Sequence, residues 1–310
     1  MSIKVGRYTI DISNEDKILF PKSGITKGDL IDYYDFIAPV MLPHMKGRPI
    51  SLQRFPEGIH KEGFFQKDAS DYFPDFVTRV NIAKKDRTMV HYVVVDKAAT
   101  LVYLANQACI TPHIWLSRID ALDYPDRLIF DLDPAKNVLF TRIQKVAKKI
   151  KEVLDQLSLP VFCMLTGSRG VHIVVPLKKK QSFDETRAFA FDVARLVAHE
   201  NPALATVNVH KEKRTGHVFI DWLRNGFGAT GVAPYAVRAL EGAPVATPVT
   251  WEELHKRGMK SQYYTIKNIH KRLSVRDDPW KDIQQHAVSL KKARSVLDIL
   301  IRDAELEVKE

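Results

Sequence analysis

Three aspartates close apolar runs in this chain: Asp131 and Asp133 in Leu-Ile-Phe-Asp-Leu-Asp (128–133), and Asp221 in Val-Phe-Ile-Asp (218–221). Side chains alternate along a strand, so Asp131 and Asp133 share one face while Phe130 and Leu132 point to the other. Carboxylates held on a rigid element make a hard-oxygen site, suited to Mg²⁺ or Mn²⁺ rather than zinc. With Asp221 as a third ligand, the chain has the parts for metal-assisted phosphoryl or nucleotidyl transfer. A salt bridge to one of the many basic residues is the competing structural explanation, and for Asp221 taken alone it is nearly as strong.

Between the acidic runs lies Thr-Gly-Ser-Arg-Gly-Val-His-Ile-Val-Val-Pro (166–176). Gly167 and Gly170 let a turn approach a phosphate closely, and its backbone amides could take anionic oxygens. Ser168 and His172 add hydrogen bonds and Arg169 adds charge. A histidine on a strand is more often a satisfied core residue, but the place of His172 just after a Ser-Arg-Gly turn favours a functional role.

These residues need elements to hold them. Periodicity predicts a helix over 28–42 with a kink at Pro39, a strand over 89–95 and a helix over 97–108. A strand over 128–133, a helix over 141–157, strands over 161–165 and 171–177, a helix over 184–200 and a strand over 217–222 follow. That order is a split βαβ pattern of ferredoxin-like type, and the fold class is α+β. Lys145, Lys148, Lys149 and Lys151 fall on the polar side of the 141–157 helix, as a solvated face requires. No repeat or low-complexity linker interrupts the chain, which reads as a single domain over 1–310: an N-terminal part (1–120), a core (121–250) and a helical C-terminal part (251–310).

Composition places few further limits. Of 310 residues, 45% are hydrophobic and 27% charged, ordinary for a globular protein with a sizeable core. The formal net charge of +10 is compatible with a polyanionic partner such as nucleic acid. Cys109 and Cys163 sit in apolar surroundings without metal-type spacing, which predicts buried, reduced thiols. The N-terminus lacks the apolar core of a signal peptide, and no apolar stretch reaches the roughly 20 residues that cross a bilayer. No membrane association is expected, and the expected location is the cytoplasm, at the nucleoid.

At this point the chain resembles the polymerase domain of bacterial and archaeal end-joining ligase D, a member of the archaeo-eukaryotic primase superfamily. The resemblance runs through Thr26-Lys27-Gly28, Tyr33-Tyr34, Leu42-Pro43-His44, Gly47-Arg48-Pro49 and Gly63-Phe64-Phe65-Gln66-Lys67. It continues through His113-Ile114-Trp115, Asp131-Leu132-Asp133-Pro134, Gly167 to His172, Val218 to Asp221 and Ala233 to Ala239. It implies the primase fold, with mixed and antiparallel sheets around an RRM-like core flanked by helices. It also implies that Asp131, Asp133 and Asp221 hold two divalent ions, Mn²⁺ or Mg²⁺. One ion would activate the primer 3′-hydroxyl and the other the triphosphate. Ser168, Arg169, Gly170 and His172, with Arg238, match positions that grip the nucleoside triphosphate. His113 matches a histidine near it, against the plainer reading of a histidine capping a turn after Pro112.

The same resemblance matches Lys17 and Lys27 to lysines that hold a 5′-phosphate at a DNA gap or end; without it both read as solvated surface residues. Phe64 and Phe65 match aromatics that stack on a terminal base, although two adjacent phenylalanines more often put at least one into a core. Residues 207–216 resemble a mobile loop near the primer terminus, with Arg214 as the expected contact. His217 stands where a lysine is common, so any charge there depends on pH. No Lys-x-Asp-Gly ligase motif or nuclease module is present, which suggests an isolated domain or a stand-alone enzyme with a separate ligase. The implied function is templated polymerisation with a preference for ribonucleotides, in double-strand break repair by end joining with Ku and a DNA ligase. Short-gap excision repair, priming without a primer and non-catalytic DNA-end binding are the alternatives. A phosphatase of the haloacid-dehalogenase type also uses Asp-x-Asp, but Pro134-Ala135 departs from its pattern. Its final acidic pair would have to be Asp277-Asp278, which follows no apolar strand.

Overall fold

The computed structural model describes residues 1–83 and 87–306. The chain forms two units: one of residues 1–120, 230–247 and 262–281, the other of 121–229, 248–261 and 282 onward.

The first unit opens with a hairpin of β1 (Ser2–Val5) and β2 (Tyr8–Asp11). A second, of β3 (Ile18–Phe20) and β4 (Ile25–Thr26), leads straight into α1 (Lys27–Met45). Thr26 starts that helix with a capping box: its hydroxyl accepts from Asp29 N at 3.2 Å, and the Asp29 carboxylate accepts from Thr26 N at 2.8 Å. The helix covers the expected 28–42 and continues through Pro39 and Pro43 to Met45. A sheet follows from β5 (Pro49–Arg54), β6 (Phe64–Gln66), β7 (Arg79–Ala83), β8 (Met89–Val94) and, after α2 (Ala98–Asn106), β9 (Cys109–Trp115). Its order is β9-β5-β8-β7, with β6 also on β5.

The second unit carries β10 (Arg127–Pro134), α3 (Phe140–Gln156), β11 (Phe162–Leu165), β12 (Val171–Pro176), α4 (Phe183–Glu200), β13 (Ala205–Thr206) and β14 (Val218–Asp221). The expected spans of the six longer elements agree to within one residue at each end. The sheet order β13-β14-β10-β12-β11 puts β12 into the slot that the β10–α3–β11 crossover leaves open. This is the split βαβ arrangement, and the pairs among these five strands are antiparallel except for β13–β14. α3 and α4 pack on this sheet. On α3, Ile143, Val146 and Ile150 are buried, while Lys149 and Lys151 pair with Glu152 and Asp155 at 2.8 and 2.5 Å.

The chain then returns to the first unit, where β15 (Thr230–Val232) extends its sheet beside β9. Next come β16 (Thr247–Val249), which continues the second unit's sheet beside β11, the short α5 (Trp251–His255) of the second unit and α6 (Ile269–Leu273) of the first, and α7 (Lys291–Asp303) of the second. Cys109 and Cys163 are free and buried. Among the described residues no helix is long and apolar enough to cross a membrane.

Candidate active site

β10 runs between β12 and β14, so Asp131 is register-paired with His172 on one side and with Asp221 on the other. Asp133, two residues on, pairs with Phe219. Paired positions in antiparallel strands place their side chains on the same face, so the three carboxylates and His172 form one row and its neighbour. The intervening Phe130, Leu132 and Ile220 are 0% exposed, which anchors the strands and leaves the acids facing away from that core.

Cationic groups hold the row. Arg224 Nε lies 3.2 Å from Asp131 Oδ2 and 3.3 Å from Asp221 Oδ2, bridging the two acids. Arg169 Nη2 donates to Asp133 Oδ1 at 2.8 Å. His172 Nε2 is 3.5 Å from Asp131 Oδ1, and Leu223 N donates to Asp221 Oδ1 at 3.0 Å. Burial opposes ionisation of Asp131, but His172 and Arg224 outweigh it and bring the carboxyl down to about 2. Asp221 moves the other way: burial raises it, Arg224 pulls it back, and the neighbouring Asp131 charge raises it again. The row thus carries more negative charge than its surroundings tolerate without cations.

Among the described residues no group of three or more His, Cys, Asp and Glu converges as a ready-made metal cage. The oxygens are turned to the two arginines instead. The donor set nevertheless fits a hard divalent ion. All three donors are carboxylates on one face, and two of them already share a single cationic nitrogen.

The turn before β12 is seated on β10. A Cβ on Gly170 would meet Leu132 O at 2.0 Å, so only glycine allows this approach. Thr166 Oγ1 accepts from Ser168 N at 3.4 Å and Gly170 N at 3.3 Å, and Ser261 Oγ donates to Gly170 O at 2.8 Å. The amides of Ser168 and Gly170 therefore serve the turn itself, contrary to the expectation that they stand ready for anionic oxygens. The side chains of Arg169 and His172 reach the acidic row.

Two residues of this site were not singled out from the sequence. Arg224 follows Asp221 by three, and that spacing on a tight turn was its available signal. Asn225 is fully buried; its Oδ1 accepts from Ile129 N at 2.9 Å and its Nδ2 donates to Ile129 O at 2.8 Å. It continues the ladder where β14 stops and so fixes the turn bearing Arg224. Asn225→Leu leaves both Ile129 groups without these partners and is expected to cost about 3 kcal/mol. Urea unfolding measures this, and a loss below about 0.5 kcal/mol would show the amide to be dispensable.

Arg214 is folded back on its own loop, donating to Asn208 O and Val209 O at 2.8 and 2.6 Å, with its guanidinium 3.5 Å from the Phe219 ring centroid. His217 is half-buried, with ring nitrogens 2.7 Å from Thr215 O and 3.0 Å from Pro202 O.

The remaining expected residues lie in the first unit. His113 sits inside β9, paired with Ser51 of β5 and Val232 of β15, rather than capping a turn. The Phe65 ring is 5.4 Å from it. Phe64 and Phe65 are 47% and 57% exposed, so neither is core. Lys27 is buried, and among the described residues its ammonium reaches neutral oxygens only, Ser13 Oγ and Asn106 O, both at 3.2 Å. Burial, with the Lys17 charge second, lowers its pKa. Lys17 pairs with Glu57 at 2.7 Å. Arg238 is partly exposed, with its N–H on Pro244 O.

The family model for the LigD primase-polymerase domain matches residues 26–280. The multifunctional non-homologous end joining protein LigD of Mycolicibacterium smegmatis is 34% identical over 247 residues, covering 79% of this chain and 32% of that protein. The bifunctional LigD of Bacillus subtilis is 28% identical over 278 residues, covering 89% and 44%. The chain therefore spans about a third of the mycobacterial relative's length. Among solved structures, the polymerase domain of Mycobacterium tuberculosis ligase D in complex with DNA superposes with a TM-score of 0.85 at 31% identity. That match covers 90% of this chain and 99% of that one, and with it the fold is the archaeo-eukaryotic primase fold. With a row of aspartates on a split βαβ sheet and a family match through most of its length, the chain belongs to the LigD primase-polymerase domain family.

Proposed function

We propose that this primase-polymerase domain, a DNA-directed nucleotidyltransferase, extends primers and fills short gaps at DNA ends during double-strand break repair by end joining. The observation that carries this reading is the register of β10, which sets Asp131 between His172 and Asp221 with Asp133 beside them. Two divalent ions held by these carboxylates, Mn²⁺ or Mg²⁺, would supply activation of the primer 3′-hydroxyl and charge neutralisation on the triphosphate. Ser168, Arg169 and His172 bind the phosphates of the incoming nucleotide, Arg169 through a planar guanidinium that suits phosphate oxygens. Gly170 keeps that turn against β10. Arg238 and His113 match nucleotide contacts of the family, which also implies a preference for ribonucleotides.

Lys27 supports recognition of a 5′-phosphate. A buried ammonium with neutral partners and a second lysine nearby is completed by an anion. Exposed Phe64 and Phe65 offer stacking surfaces for a terminal base, worth roughly 1–3 kcal/mol each. Arg214 serves the primer end on the 207–216 loop. Ku and a DNA ligase are the proposed partners, acting with the chain on cytoplasmic DNA. The phosphatase alternative is disfavoured, because Asp278 is buried in hydrogen bonds to His44 and Tyr235.

Primer extension on a gapped duplex, with and without the downstream 5′-phosphate, tests the reading. Templated addition dependent on Mn²⁺ or Mg²⁺ and stimulated by the 5′-phosphate is expected. Lys17→Ala/Lys27→Ala should remove that stimulation, about tenfold in DNA affinity, while leaving addition at high DNA concentration. DNA binding without addition under any metal would defeat the polymerase reading.

A further inference from the structure

Every backbone polar group from Tyr235 to Arg238 is engaged inside the first unit. Tyr235 N donates to Ala246 O at 2.6 Å, and its carbonyl accepts from the Tyr33 hydroxyl at 2.7 Å. Ala236 N donates to Ala233 O, and its carbonyl accepts from Ala246 N. Val237 N donates to the Tyr34 hydroxyl at 3.2 Å, while its carbonyl accepts from Thr111 Oγ1 at 2.6 Å. Arg238 N donates to Pro244 O, and its carbonyl accepts from Leu240 N. Tyr34 donates its own proton to Ile110 O at 2.6 Å.

Tyr235 is the strained member of this segment. Its φ is +65°, a left-handed conformation rare for an aromatic residue, and its side chain is fully buried. Such a conformation persists only where the surroundings over-determine it. Here the Tyr235 hydroxyl donates to Asp278 Oδ1 at 2.8 Å, and Trp280 N donates to the same oxygen at 3.0 Å. His44 Nε2 lies 2.6 Å from Asp278 Oδ2. His44 and Asp278 are 2% and 8% exposed. Burial works against ionisation of Asp278, but the His44 hydrogen bond and charge hold its carboxyl below the usual carboxylate range. The segments Tyr33-Tyr34, Leu42-Pro43-His44 and Pro234 to Arg238 thus form one hydrogen-bonded assembly.

We propose that Tyr235, backed by Asp278 and His44, is a positioning residue that fixes Arg238 for contact with the nucleotide's phosphates, which rests on the nucleotide role given to Arg238 above. A long guanidinium side chain is only as well placed as the backbone that carries it. An enzyme that must hold a triphosphate within a fraction of an ångström needs that backbone fixed. The tether acts three residues away, where it touches no substrate.

The test compares Tyr235→Phe, His44→Gln, Arg238→Ala and the double variant Tyr235→Phe/Arg238→Ala by steady-state primer extension, with thermal melts as controls. Phenylalanine removes one oxygen and keeps the ring. Tyr235→Phe is expected to raise the nucleotide KM about fivefold with kcat and DNA affinity little changed, the scale of one lost hydrogen bond. His44→Gln should move KM in the same direction. The double variant should be no worse than Arg238→Ala alone, because both act through one group. A merely structural role would lower the melting temperature and the active fraction without touching KM. An unchanged KM in Tyr235→Phe beside a raised KM in Arg238→Ala overturns the positioning role. Additive effects in the double variant overturn it too, as does failure of both mild variants to fold. An unchanged KM in Arg238→Ala instead removes the nucleotide reading of Arg238 itself.

Discussion

Asp131→Ala/Asp133→Ala is expected to abolish nucleotide addition, by at least about 10³-fold or roughly 4 kcal/mol of transition-state stabilisation. Affinity for 5′-phosphorylated DNA should stay unchanged, because Lys17, just before β3, and Lys27, at the start of α1, belong to the first unit. The substitution should not unfold the sheet. Asp131 and Asp133 lie on the face opposite Phe130 and Leu132, which are fully buried and unaffected. In the native row Asp131 and Asp221 oppose each other in their effect on stability. Asp131, with its carboxyl brought down to about 2, stabilises the fold above the ordinary carboxylate range and loses that contribution as pH falls toward 2. Asp221, raised by burial, disfavours the fold once it is ionised, so the penalty is present above its folded pKa and vanishes in acid. Asp221→Asn should therefore be at least as stable as the native chain at neutral pH yet inactive, a trade of stability for function. Extension assays with melting curves at pH 7 decide this. Activity surviving the double change would remove the carboxylate row from the chemistry.

The aspartates were legible because strand periodicity is local: Asp131, Phe130, Leu132 and Asp133 report their faces without any partner strand. The split βαβ order was legible for the same reason, through helices with buried positions such as Ile143, Val146 and Ile150. What pairs with the row was not. Nothing near Asp221 in sequence states that β14 lies beside β10, so nothing set Arg224 or Asn225 apart. For Phe64 and Phe65 the plain pattern pointed the other way, since two adjacent aromatics more often put at least one into a core, whereas the family resemblance made both stacking residues. They are exposed because β6 is a short strand at the margin, paired among the described residues with β5 alone. The return of residues 230–247 to the first unit was equally hidden, because β15 has three residues and its pairing with β9 is a long-range choice. Without the family resemblance Lys27 reads as a surface lysine, yet α1 carries its stem inward to Asn106.

Gly170→Ala should couple the fold to the chemistry most directly. Gly170 needs space rather than a special conformation: the added Cβ would lie 2.0 Å from Leu132 O and 3.1 Å from Leu132 C, both rigid backbone atoms. The turn or the strand has to move by about an ångström to restore contact, at a cost of about 1–3 kcal/mol for overpacking. Leu132 sits between Asp131 and Asp133, so a shift of β10 displaces both carboxylates relative to Asp221 and His172. A misplacement of about 1 Å costs catalysis on the order of 10²-fold. Gly170→Ala is therefore expected to lower kcat about a hundredfold while lowering the melting temperature only a few degrees. DNA affinity should be preserved. Relief at Leu132 is not available from any neighbouring substitution, because the clash is with the carbonyl and not the side chain. Wild-type kcat and melting temperature in this variant would mean that the turn does not rest on β10, and the positioning of Arg169 and His172 would need another source.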